Sequence, residues 1–195
     1  MKIVIIQPPF VQLNSPYPSG AYLSNFFKQN FGLSGSVKWL DLSIQLFDSI
    51  FSKEGLSKLF ELSEQNALQI AKKAEQNGDD FTAFNLRRYV STKNAWINYI
   101  DQIKSILNCK NSGREVSHKF IFSASAPRGN RMESFLANLK EEPTVDQARF
   151  LASLALADLA DYITFAFDKH FSLIRYAEAV STENKLPGLR LYLSP

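Results

Sequence analysis

Five residues near the N-terminus, Lys2-Ile3-Val4-Ile5-Ile6, constrain the fold more than any other stretch. After one charge the run is unbroken Ile and Val. A strand with one wet face alternates apolar and polar residues. Continuous β-branched residues instead fit a strand covered on both faces, as in a parallel sheet. A proline-punctuated loop follows, Gln7-Pro8-Pro9-Phe10 through Ser15-Pro16-Tyr17-Pro18-Ser19-Gly20. Its prolines fix φ and remove backbone donors, so the loop is shaped rather than floppy. Ala21 to Lys28 then puts Tyr22, Leu23, Phe26 and Phe27 on one helical face. Asn30-Phe31-Gly32 supplies a stop, Ser34-Gly35-Ser36 a turn, and Val37-Lys38-Trp39-Leu40-Asp41-Leu42 a second strand. Strand, loop, helix and strand in this order make one βαβ crossover. Ligands of open α/β sheets sit beyond the carboxyl ends of the strands. Pro8, Pro9, Phe10, Tyr17, Ser19 and Gly20 are therefore the first candidate binding residues.

From Ser43 to about Leu107 the apolar period becomes helical: Leu46, Phe47, Ile50, Phe51, then Leu56, Leu59, Phe60, Leu62, Ala67, Ile70, Ala71 and Ala74. Asn77-Gly78-Asp79-Asp80 interrupts it, with Gly as a C-terminal cap and Asp as the next N-cap. Phe81, Phe84, Trp96, Tyr99, Ile100, Ile103 and Leu107 mark further helices. A crossover between neighbouring parallel strands needs far less chain. Residues 45–110 are thus expected to form a helical insertion into an α/β domain built from 1–44 and 111–195. Lys72, Lys73, Arg87, Arg88 and Lys93 on its polar face read as solvated charges.

Lys119-Phe120-Ile121-Phe122-Ser123-Ala124-Ser125 is predicted to be the next strand. It exits into small polar residues and Ala126-Pro127-Arg128-Gly129-Asn130-Arg131. Ser123 and Ser125 would join the binding site from that strand end. The basic Gly/Pro loop reads first as surface and second as a source of donors for a phosphate. Met132, Phe135, Leu136 and Leu139 predict a short helix. Thr144-Val145-Asp146-Gln147 is a capping box. It opens a helix from Ala148 to about Tyr162 that is apolar nearly all round, so buried on most sides or packed on a partner. Phe171 to Val180 is predicted helical. Leu189 to Leu193 stays apolar almost to Pro195, and natural termini are usually polar. The expectation is a chain cut where another domain begins.

Composition narrows the chemistry. A length of 195 residues, 45% hydrophobic and 21% charged, suits one globular domain with an insertion, and 16 Phe against 2 Trp imply a Phe-rich core. A net charge of +3 reads as a mildly basic surface, not a nucleic-acid site. One cysteine, Cys109, builds neither a disulfide nor a metal centre alone. His118 and His170 are the only histidines, and neither G-x-S-x-G nor G-x-x-x-x-G-K-[ST] occurs. Asp41 at the second strand's end lacks the G-x-G-x-x-G turn of a dinucleotide site, so it reads as a strand-end or helix-cap residue. Asp168-Lys169-His170 approaches the corrin-ligand signature D-x-H-x-x-G, but Leu173 stands where glycine is needed. His170 therefore reads as a helix-start or surface residue. No window is long and apolar enough for a membrane span, and the cytoplasm is the default location.

Ile3-Val4-Ile5-Ile6-Gln7-Pro8-Pro9, with Ser15-Pro16 and Pro18-Ser19-Gly20-Ala21-Tyr22-Leu23, resembles the start of cobalamin-binding-domain radical SAM proteins. Ala148-Arg149-Phe150 to Asp161, then Asp168 and Phe171 to Glu178, is similar to a later N-terminal part of some members. The resemblance touches both ends of the chain and not residues 45–110. It implies a Rossmann-like, flavodoxin-like, mostly parallel sheet that holds cobalamin against a following C-terminal radical SAM domain. The C-x-x-x-C-x-x-C motif is absent, so the iron–sulfur cluster and S-adenosylmethionine would belong to that other domain. The expectation is a binding or accessory domain that is not catalytic alone. Two alternatives stand beside it: a helical docking module without cofactor, and the N-terminal half of a sugar-nucleotide transferase.

Overall fold

The structure, a computed structural model, describes residues 2–7, 18–32, 36–107, 120–139, 144–171 and 173. β1 (Ile3–Gln7) leads to α1 (Pro18–Phe31) and β2 (Val37–Asp41). The strands are parallel, with Ile3 opposite Val37, Ile5 opposite Trp39 and Gln7 opposite Asp41. α1 opens on a proline, whose missing N–H costs nothing at a helix start. It stops before Gly32, which takes the left-handed φ of 61°. The βαβ reading of the N-terminus thus matches the structure.

The rest is helical: α2 (Leu42–Ile50), α3 (Lys53–Gln76), α4 (Asp80–Ser91), α5 (Lys93–Leu107), α6 (Asn130–Ala137) and α7 (Val145–Ala166). The expected caps are in place. Gly78 has φ 76° after α3, and the Asp79 carboxylate accepts the Thr82 N–H at 3.1 Å to open α4. Thr144 and Gln147 form the capping box of α7 through bonds of 2.8 and 3.2 Å. α7 is the central helix. Leu151, Ala152, Ala155, Leu159 and Tyr162 are fully buried, and α3, α4, α5 and α6 pack around it. Trp96, Phe60, Phe51, Leu56 and Ile100 fill the space between them. Two polar ties join α3 to the last turns of α7. Ser63 Oγ lies 2.8 Å from the Tyr162 hydroxyl, and Asn66 Nδ2 donates to the Ala166 carbonyl at 2.8 Å.

A Rossmann-like sheet is not what forms. Among the described residues the sheet has two strands, and helices dominate. The expected third strand, 119–125, is a helical turn at residues 120–122. A short apolar run does not distinguish a strand from a buried helical turn. Here the helical core claims it: Ile121 is fully buried, and Phe120 stacks on Tyr99 with centroids 4.4 Å apart. Arg128 also donates to the Phe122 and Ser123 carbonyls, at 3.0 and 2.9 Å, and occupies acceptors that a ladder would need. The chain is a helical core carrying one βαβ unit.

Candidate functional site

The carboxyl ends of β1 and β2 are the first place to look. Gln7 and Asp41 pair there. Asp41 accepts the Ile44 N–H at 3.1 Å and so starts α2, the helix-cap role expected of it. Ser19 is exposed in the first turn of α1. Gly20 is buried because the Trp39 indole lies on it, and a Cβ at residue 20 would fall on the indole nitrogen. Pro8, Pro9, Phe10 and Tyr17 lie outside the described residues. Of the N-terminal candidates, the structure therefore places Ser19 and Gly20.

Ser123 and Ser125 are not at a strand end. They sit just after the 120–122 turn and bond to each other, Oγ to Oγ, at 2.9 Å. The basic loop beyond them is also satisfied from within. Arg128 holds two carbonyls, as described above. Arg131 makes a two-pronged ion pair with Asp161, at 2.8 and 3.1 Å. The N-terminus of α6 already holds an anion, the carboxylate of Asp158 on α7. It accepts the Arg131 N–H at 2.9 Å and the Met132 N–H at 3.1 Å. Burial pushes this carboxyl up to about 6, while the two N–H bonds pull the other way. The donors that a phosphate would use are taken by the protein itself. The signal for this was a lone carboxylate inside the apolar run Leu151–Ala160.

The cations of residues 45–110 are largely matched. Arg87 pairs with Glu75, Arg88 with Glu133, Lys93 with Glu64 at 2.5 Å, and Lys104 with Asp48 at 2.6 Å. The Arg87 guanidinium holds the Glu75 carboxyl below its ordinary value. This is a solvated, internally neutralised face. Among the described residues no cluster of His, Cys, Asp and Glu could hold a metal. His170 is exposed, its N–H bonded to the Asp168 carboxylate at 2.9 Å, and Leu173 packs against the core where a corrin ligand motif needs glycine. The described residues do not assemble a corrin-holding surface.

What stands out is apolar area without cover. α1 meets the sheet through small residues, Gly20 and Ser24. Its large side chains point elsewhere: Tyr22 is 76% exposed and Phe26 51%. Phe26, Phe27 and Phe31 cluster at 5.8 to 6.0 Å between centroids. On β1, Val4 and Ile6 are 55% and 57% exposed. The Ile/Val run predicted two covered faces, and the structure shows one. No helix among the described residues is long and apolar enough to cross a membrane. Set against protein-family models, curated proteins and solved structures, the chain matches none.

Proposed function

We propose that the chain is a non-catalytic accessory domain, the N-terminal portion of a radical SAM protein, that docks on its catalytic neighbour through the β1–α1–β2 unit. The observation that carries the docking is the unfinished sheet. Parallel strands are normally covered on both faces, yet Val4 and Ile6 are more than half exposed, beside the bare aromatic side of α1. Contiguous exposed apolar area of this kind marks an interaction surface. The radical SAM class is supported by the resemblance of Ile3–Pro9 and Ser15–Leu23 to those proteins. The helical core supplies a rigid base, and the chemistry belongs to the neighbour.

The test has two arms. The reading frame that contains this chain should encode C-x-x-x-C-x-x-C beyond Pro195, and its absence overturns the class. In the product of that whole frame, Val4→Asp with Ile6→Asp should release the domain and raise the radius of gyration in small-angle scattering. An unchanged radius overturns the docking.

Cobalamin binding by this chain is the second reading. It is supported by the position of Ser19 and Gly20 at the N-terminus of the helix that follows β1. Titration with hydroxocobalamin should then shift the corrin absorption and retain the corrin on gel filtration. Neither change removes this reading and leaves the docking untouched.

A further inference from the structure

The two faces of the β1–β2 pair are unequal. Trp39 lies on Gly20 of α1, and Ile5 is opposite Trp39, so α1 covers the face of Ile3, Ile5 and Trp39. Side chains alternate across a strand. Lys2, Val4 and Ile6 therefore line the other face with Lys38 and Leu40, Val4 opposite Lys38 and Ile6 opposite Leu40. Lys2 and Lys38 are exposed. The face is thus polarised along the strands. Its ammonium groups lie at the amino ends, and Ile6 and Leu40 lie toward the carboxyl ends.

We propose that this face is covered by an amphipathic helix of the neighbouring domain, running antiparallel to β1 and β2, with its carbonyl end over Lys2 and Lys38. The inference rests on the docking reading above. A crossover helix on a parallel sheet starts at the strands' carboxyl ends and returns the chain to their amino ends, so it runs antiparallel to them. Its C-terminus then lies over the amino ends. There the last four carbonyls lack intrahelical partners and carry about half a negative charge. Two lysines at that position complement it. A helix of opposite direction would set its positive end on them, and a purely apolar occupant would leave both ammonium groups without a counter-charge. α1 follows the same rule on the other face, with its first turn against Trp39.

The experiment is hydroxyl-radical footprinting of the product of the complete reading frame. Val4 and Ile6 should be oxidised at least fivefold more slowly than Leu62 and Phe84, which are as exposed in the structure. Lys2→Glu with Lys38→Glu should abolish that protection. Lys58→Glu with Lys72→Glu, on exposed positions of α3, should not. Protection that survives the Lys2/Lys38 reversal overturns the helix-end inference and leaves the docking standing. Val4 and Ile6 as reactive as the references overturn both. Protection that grows with protein concentration makes a second copy the occupant and overturns the inference.

Discussion

Gly129 lies directly against the carboxyl group of Asp158, so close that a Cβ on residue 129 would overlap its Cβ and Cγ atoms. Gly129 is the N-cap of α6 and has no side chain with which to cap it. The carboxylate, arriving from α7, does so instead. Its φ of −101° is ordinary, so the requirement for glycine is one of space and not of backbone conformation.

Gly129→Ala should therefore destabilise the protein by about 1–3 kcal/mol, the usual cost of overfilling a packed site. Urea unfolding followed by circular dichroism would measure it. The carboxylate cannot retreat without leaving the Arg131 and Met132 N–H groups unpaired.

Asp158 gives a pH signature of defined sign. Its carboxyl is held up to about 6, above the ordinary 3.8, so the folded state binds this proton more tightly than the unfolded state. The stability it contributes is fully present below about 4 and is lost as pH rises through about 6. The unfolding free energy of the wild type relative to Asp158→Asn should fall by about 3 kcal/mol across that window. Using the difference cancels Glu75 and Asp79, whose lowered values act in the opposite direction.

Ser63 and Tyr162 should couple. Ser63 donates its proton to the Leu59 carbonyl at 2.7 Å, so the Tyr162 hydroxyl is the donor in the 2.8 Å contact between them. A double-mutant cycle with Ser63→Ala and Tyr162→Phe should return an interaction of about 1 kcal/mol. Asn66→Ala, which frees the Ala166 carbonyl at the end of α7, should cost about 1 kcal/mol.

The sequence was most legible where structure is local. Thr144 and Gln147, Asp79 and Thr82, and Gly32 and Gly78 act through neighbours within a turn, and each lies where spacing put it. The periodicity of α7 told correctly that it is buried nearly all round. Reading failed where a residue's partner is distant. Phe120-Ile121-Phe122 is a run of three apolar residues, compatible with strand or helix, and Tyr99 and Arg128 decided the matter. Ser123 and Ser125 left the candidate site with that strand. The role of Asp158 depends on an amide 27 residues away and has no sequence signal beyond its apolar setting. Val4 and Ile6 read as buried because their composition is that of a buried strand. Their exposure is the discrepancy on which the functional account stands.

That account is tested most directly by calorimetric titration of this chain with the separately expressed remainder of its reading frame. The prediction is a saturable heat of binding with the negative heat-capacity change of apolar burial, weakened at least tenfold by Val4→Asp with Ile6→Asp. A wild-type chain that gives no heat of binding, or a double variant that binds as tightly as the wild type, would contradict it.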